Sequence, residues 1–327
     1  VEPEHLLQAL ADGRPHSGEE LAQAFGVTRA AVWKRIGRLA DWGLTVLAVP
    51  GVGYRLDRPL DLLDAGAIRR ALQTRLSVPL GEAEILTEVD STNSRLGARP
   101  TAPGRIDVCL AEFQQAGRGR RGRRWTAPLG GGLCLSVGWQ FKDMPPDLSA
   151  LTLAVGVVVR RVLARTAGVE VALKWPNDLV WDERKLGGIL LDLVAEAQGG
   201  CQVVAGIGLN VSLPEKLLAQ LCDWPRGAVD LATVIGGAPP PRAALATELI
   251  VALAELLAAY PATGLKPYRA EWREADFLRG RRITLESDAR TLCGTALGIE
   301  PDGALLIEVS PGRRERVISG DVSVRSG

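Results

Sequence analysis

Apolar positions in the first sixty residues fall at helical spacing and then switch to alternation. Leu6, Leu7 and Leu10 share one face of a short helix that Asp12-Gly13-Arg14-Pro15 interrupts. Ser17, with Glu20 three positions on, caps a second helix around Glu19 to Phe25 that ends at Gly26-Val27; Thr28 caps a third that runs to Trp42-Gly43. Ala31, Val32, Ile36 and Leu39 form the buried stripe of that third helix. Thr45 to Val49 and Tyr54 to Leu56 then flank the turn signal Pro50-Gly51-Val52-Gly53. Two helices joined by a glycine-containing turn, followed by a hairpin, predict a winged helix-turn-helix over residues 1–60.

Arg58-Pro59-Leu60 is a linker into a helix over Ala65 to Gln73. From there to residue 276 strand runs such as Val108-Cys109-Leu110 and Leu133 to Val137 mix with long helices such as Arg242 to Tyr260, the mark of an α/β or α+β domain. The apolar stretch Leu148 to Gly168 carries Arg160, Arg161 and Arg165, so it is a core-facing helix with Ser149 near its N-cap and not a membrane span. After Trp272 only short strands remain: Arg282 to Leu285, Thr295 to Ile299, Ala304 to Val309 and Arg316 to Ile318, with Pro301-Asp302-Gly303 as a hairpin turn. The expected fold class is thus a multidomain α+β chain, with a small β-barrel over residues 277–327.

Composition then limits the chemistry. The 327 residues carry 39 Lys+Arg against 38 Asp+Glu, a formal net charge of +1, which excludes a globally basic nucleic-acid binder but leaves room for a local basic face. The two histidines, His5 and His16, both lie in the first twenty positions, so Ser-His-Asp, Cys-His and His-zinc chemistry are improbable for the main body. Five cysteines scattered without a C-x-x-C pair indicate reduced thiols. With Glu2 and Glu4 leading and no apolar h-region, the expected location is cytoplasmic, without membrane attachment.

The local basic face is on the third helix, where Arg29, Lys34, Arg35 and Arg38 come after Thr28 with no acidic residue before Ala40. A solvated helix face would look similar, but its place before a wing hairpin favours docking in a DNA major groove, with these residues as the contacts.

The densest signal is Gln114-Gln115-Ala116-Gly117-Arg118-Gly119-Arg120-Arg121-Gly122-Arg123-Arg124-Trp125. Gly117, Gly119 and Gly122 make a G-x-G-x-x-G, yet the loop runs into Trp125-Thr126-Ala127-Pro128 and a glycine triplet, not into a helix that could hold a pyrophosphate. The Walker A spacing is absent too. Five arginines in close sequence repel one another, so the loop is expected to be mobile until it folds over an anion. Lys174-Trp175-Pro176-Asn177-Asp178 and Arg184-Lys185-Leu186-Gly187-Gly188 read as a polar hairpin between apolar strands, suited to phosphoryl charge or equally to a salt-bridged turn. Asp90-Ser91-Thr92-Asn93 offers hydroxyls and an amide to a small polar ligand, or simply a helix N-cap. No metal-ligand cluster stands out.

Together, in this order and spacing, these motifs resemble the bacterial biotin–protein ligases. The preceding head, with Ser17-Gly18-Glu19-Glu20-Leu21, Arg29-Ala30-Ala31-Val32 and Val49 to Tyr54, resembles the bifunctional form that is also the biotin operon repressor. The resemblance implies a central domain, residues 61–276, of the class II synthetase-like, lipoyl/biotinyl transferase fold, and an SH3-like barrel after it. It also implies biotin and ATP as substrates, Mg2+, a biotin carboxyl carrier protein of acetyl-CoA carboxylase and operator DNA as partners, and a ligand-promoted homodimer. Carried over by motif, Ser91, Thr92, Asn93, Gln114, Arg118, Gly119, Arg120 and Lys185 would contact biotin or its adenylate. Arg118, Arg120 and Lys185 would stabilise charge at the reacting carboxylate and α-phosphate, while Arg121, Trp125, Lys174, Asn177, Asp178 and Asn210 would serve the nucleotide side. A second closing loop, about 211–228, contains the family-like Trp224 but departs from the repressor pattern at Pro214-Glu215-Lys216-Leu217, which bears on dimerisation more than on catalysis. The competing readings are a ligand-responsive transcription factor without ligase activity and a lipoate-type acyl ligase.

Overall fold

The computed structural model describes residues 3–195, 200–221, 226–286 and 291–324. The head consists of α1 (Pro3–Leu10), α2 (Gly18–Ala24), α3 (Arg29–Leu39) and the hairpin β1 (Val46–Val49) with β2 (Gly53–Leu56). Thr28 Oγ1 accepts from the Ala31 amide at 3.2 Å, and Ser17 Oγ from the Glu19 amide at 3.2 Å, so both expected caps are made. Gly53, at φ 150°, lies where any Cβ would strike the His16 carbonyl, because the wing is pinned by paired amides between Tyr54 and His16. Leu6, Leu10, Val32, Leu39, Trp42 and Leu56 close the head's core.

That core is completed from elsewhere in the chain. Leu129, fully buried, packs among the head residues, and its amide donates to the Trp42 carbonyl at 3.1 Å.

The body begins with α4 (Ala65–Arg75), β3 (Leu80–Val89), α5 (Thr92–Gly97), β4 (Ile106–Gln114) and β5 (Gly132–Phe141). It continues through α6 (Leu151–Ala167), β6 (Ala172–Lys174), β7 (Asp178–Trp181), β8 (Arg184–Ala195), β9 (Cys201–Asn210), α7 (Glu215–Gln220), α8 (Leu231–Ile235), α9 (Arg242–Thr263) and α10 (Arg269–Ala275). The seven strands pair in the order β3-β4-β5-β9-β8-β7-β6, with β3 and β4 parallel and the rest antiparallel. Antiparallel β4 and β5 on either side of the arginine loop dispose of the dinucleotide reading, since no βαβ unit is present there. Ser149 lies in a 3-10 turn ahead of α6 and does not cap it.

Helices α6 and α9 cover one face of the sheet. By length and a mean hydropathy of 1.7 along its most apolar stretch, α9 could cross a bilayer, yet more than half of that stretch is buried against the body. At its first turn the fully buried Arg242 donates to the Gly132 carbonyl at 2.9 Å, to Glu112 at 2.6 Å and to the Asp61 carbonyl, tying the linker to the body.

The last strands are β10 (Arg282–Glu286), β11 (Thr291–Ile299), β12 (Leu305–Ser310), β13 (Arg313–Val317) and β14 (Asp321–Val324). They form an antiparallel sheet in the order β13-β12-β11-β10-β14, and Gly303, φ 84°, makes the expected Pro301-Asp302-Gly303 turn. Trp175 Nε1 donates to the Gly303 carbonyl at 3.0 Å, which fastens this sheet to the body beside the polar hairpin.

Candidate active site

The face of the body sheet opposite α6 and α9 is built for close approach. Side chains alternate along a strand, so on β9 Ile207 and Leu209 enter the core while Gly206, Gly208 and Asn210 face the other way. Register continues the bare strip sideways. Cys134 on β5 pairs with Gly208, Gly208 with Gly188 on β8, and Gly188 with Asp178 on β7; one row over, Ser136 pairs with Gly206 and Gly206 with Leu190. The Trp125 indole lies directly on Gly208, where a Cβ would come within 2.5 Å of the ring, and Asn93 lies on Gly206.

Over this strip opens a cavity of about 810 Å3. The sequence-selected residues meet there: Ser91, Thr92, Asn93 and Gln114 at one end, Arg118, Gly119 and Arg120 along the loop, and Trp125, Lys174, Asn177, Asp178, Lys185 and Asn210 toward the other. Arg121 is the exception. At φ 53° its side chain donates to the Glu286 carbonyl, 3.2 Å away, and it does not line this cavity. Trp224 and Cys222 lie outside the described residues.

At the first end the helix-cap reading of Asp90-Ser91-Thr92-Asn93 is met, and Ser91, Thr92 and Asn93 also line the cavity. Ser91 Oγ caps α5 through the Ser94 amide at 3.4 Å, and Thr92 donates from its amide and its hydroxyl to Gln114 Oε1 at 2.8 and 3.1 Å. Ser136 Oγ lies 2.7 Å from Thr92 Oγ1 and 2.6 Å from Asn93 Oδ1, sharing one proton between them. Asn93 Nδ2 donates to Asp192 at 3.1 Å, and Asp192 in turn receives Arg118 at 2.8 Å. A continuous hydrogen-bond chain therefore runs from the pocket floor into the arginine loop.

Along the loop the arginines find partners from other parts of the chain. Arg118 pairs with Asp192, Arg123 with Asp321 at 2.6 Å, and Arg124 donates to the Gln115 carbonyl at 2.8 Å, around a short 3-10 turn at Arg120–Gly122. Mutual repulsion is offset because distant carboxylates arrive to neutralise it. Arg120, half-buried among them, has no ion pair within 4 Å among the described residues, and burial pulls its pKa down, with Asp321 and Asp178 as the nearest opposing charges.

At the other end Asp178 stands between two lysines, 2.7 Å from Lys185 Nζ and 3.7 Å from Lys174 Nζ. Burial lowers the Lys174 pKa against the opposing pull of Asp178. The turn after β7 places Asp182 and Glu183 at φ 46° and 59°, the paired positive values of a tight hairpin, and so aims Lys185 back at Asp178. Asn177 Nδ2 is committed to the Ile189 carbonyl at 2.7 Å, holding the hairpin on β8. Asn210 donates to the Val229 carbonyl at 3.0 Å while its Oδ1, like Trp125 Nε1, is buried without a partner. Burial pushes the Cys134 thiol beneath them up to about 12.

Sequence reasoning missed the rim. Glu183 receives Arg226 at 2.9 Å and Arg281 at 2.7 Å, all three lining the cavity, and Arg281 lies over the Phe277 ring. It also missed Asp192 and Asp321. Their partners lie 74 and 198 residues away in the chain, so no local pattern could show them.

Comparison with known proteins agrees with this architecture. A family model described as Biotin/lipoate A/B protein ligase family matches residues 87–210, an HTH domain matches 4–55, and a Biotin protein ligase C terminal domain matches 279–325. The chain is 38% identical over 327 residues to the bifunctional ligase/repressor BirA of Salmonella typhimurium, covering 99% of this chain and 98% of that one. It is 37% identical to the Escherichia coli protein of the same name, covering 99% and 97%. Among solved structures, the biotin protein ligase from Aquifex aeolicus in complex with biotin and ATP superposes with a TM-score of 0.62 at 26% identity, covering 75% of this chain and 99% of that one. Helix-turn-helix head, ligase-fold body and C-terminal sheet thus match in order and over nearly full length, and the chain belongs to the biotin–protein ligase family, in its bifunctional ligase/repressor form.

Proposed function

We propose that this chain joins biotin to ATP, giving biotinyl-5′-AMP and pyrophosphate, and then passes the biotinyl group to one lysine of a biotin carboxyl carrier protein such as the acetyl-CoA carboxylase subunit. The observation that carries the reading is the convergence of the arginine loop, the Ser91-to-Asn93 turn and the Lys174–Asp178–Lys185 cluster on one cavity.

In the first step a biotin carboxylate oxygen bonds to the α-phosphorus and the α–β bridging bond breaks. In the second, the carrier amine bonds to the acyl carbon, AMP leaves, and the amine proton passes to solvent. Neither step needs an imidazole. Lys185 and Arg120 stabilise charge between carboxylate and α-phosphate; Arg118, carried on Asp192, closes the biotin end with Gly119. Asp178 holds the two lysines apart from each other's repulsion, and Trp125 supplies an aromatic face for adenine, with the unpaired Asn210 Oδ1 as a polar contact. Asn177, its amide committed to β8, positions the hairpin. Arg121 acts from outside the cavity by tying the loop to the C-terminal sheet. Magnesium would enter with the ATP phosphates, whose charge it would neutralise.

The head would bind operator DNA of biotin synthesis genes, with Thr28, Arg29, Lys34, Arg35 and Arg38 on the groove-facing helix and biotinyl-AMP as corepressor in a ligand-promoted dimer. Of these, Arg29, Lys34 and Arg38 are exposed along α3. A cytoplasmic location accords with the buried free thiols of Cys109 and Cys134. The domain limits that serve these roles are 1–60, 61–276 and 277–327.

Biotin-dependent pyrophosphate release tests the ligase reading. Lys185→Ala should lower it by roughly 100- to 1,000-fold, the cost of one transition-state donor; near-normal release would remove Lys185 from the chemistry. Absence of release from the unaltered chain would leave a ligand-responsive regulator, and a larger thermal shift with lipoate than with biotin would favour the lipoate-type reading.

A further inference from the structure

Trp33, at the centre of α3, is 68% exposed, more than any other large hydrophobic side chain among the described residues. Its position is set by helical geometry. Val32 and Leu39 are buried and Ile36 half-buried on the inward face, so at about 100° per residue Ala30, Trp33 and Gly37 fall on one outward line. Ala30 ends at its Cβ, and a Cβ built at Gly37 would meet nothing within 4 Å. The indole therefore stands alone between two small residues, with exposed Arg29 on one side and exposed Lys34 and Arg38 on the other. No Asp or Glu interrupts the helix from Arg29 to Leu39.

A lone aromatic ridge bordered by cations complements a surface with anionic walls and an apolar floor. The DNA major groove has that composition: phosphates along both edges and, where thymine occurs, C5-methyl groups on the floor. The cations give affinity without sequence information, whereas an apolar contact made at one depth distinguishes thymine from cytosine. We propose that Trp33 is the specificity-determining residue of the head, its indole packing on thymine methyl groups in the major groove of the operator. This rests on the reading of the head as a duplex-DNA binder.

The test uses the full chain with biotin and ATP present. A duplex is selected from a randomised pool by the unaltered protein, then binding is measured by mobility shift at fixed salt on that duplex and on copies with each thymine replaced in turn by deoxyuridine, which removes only the methyl. The unaltered protein should weaken by roughly tenfold at particular deoxyuridine positions, the scale of one well-made base contact. Trp33→Ala should bind the selected duplex about tenfold more weakly, lose sensitivity to those same methyl groups, and keep the salt slope set by phosphate contacts. Trp33→Phe, which retains an aromatic face, should keep part of the sensitivity, and circular dichroism checks that each variant is folded. The proposal is overturned if Trp33→Ala retains the full deoxyuridine pattern, if its loss is equal on random duplexes, or if the indole instead confers preference for single-stranded oligonucleotides. Failure of the unaltered protein to select any duplex would overturn the DNA-binding reading itself, a result distinct from normal selection with methyl-indifferent Trp33.

Discussion

Lys174 is a charge kept where burial disfavours it. The nearby Asp178 recovers part of the cost, but desolvation dominates, so the folded pKa lies below the ordinary 10.5. Below that folded value the ammonium is charged in folded and unfolded chains alike and its full cost is present. As pH rises through the folded value the folded chain releases its proton first, and the cost is gone by the unfolded value. Lys174→Met removes that cost, so its stability relative to the unaltered protein should be most favourable near neutral pH and decline toward pH 10.5, as urea midpoints measured across pH will report. The same variant should slow adenylation, the usual exchange of activity for stability at a site that holds charge for use. Lys174 and Asp178 were legible as a pair of chemical types four residues apart; that burial presses on one of them was not, because it depends on the chain folded around it.

At the scale of the element, the strip Gly206, Gly208 on β9 does what no larger residue could. Alternation puts both glycines on the site face, and the register sets them against Ser136, Cys134 and Gly188 on the neighbouring strands. Gly208→Ala would drive a methyl into the Trp125 ring, 2.5 Å from its nearest atom as it now stands. The expected result is a displaced indole, about 1–3 kcal/mol lost in stability and weaker nucleotide binding, read by calorimetry with ATP. The arginine loop shows the opposite balance of local and distant effects. Its glycines and charges were plain in the sequence, and the run into Trp125-Thr126-Ala127-Pro128 ruled out a dinucleotide fold, but the carboxylates that pair with its arginines, Asp192 and Asp321, lie on other strands. Strand β3 escaped the pattern reading for a related reason. Most of Leu80–Val89 is half-buried on both faces, so the alternation that marks a one-sided strand is absent.

Across the whole molecule, the head and body share one hydrophobic seam. Leu129, four residues after Trp125, is buried in the head's core and bonded to Trp42, while Arg58 donates to the Ser212 carbonyl at 2.6 Å. Leu129→Ala should cost the head roughly 2–5 kcal/mol, the range for emptying a packed leucine site. Faster amide exchange across residues 3–56, with slower-exchanging strands of the body unchanged, is the measurement that checks it. The chain by itself determined most of the elements, the caps at Ser17 and Thr28, the hairpin turns and the motifs that select a ligase, because capping, turn chemistry and motif spacing act over a few residues. Tertiary structure alone decided which carboxylates pair with the arginine loop, that Arg121 does not line the cavity and that a body leucine completes the head. Those outcomes depend on contacts between residues far apart in the chain, and burial and electrostatic pairing exist only once such segments are brought together.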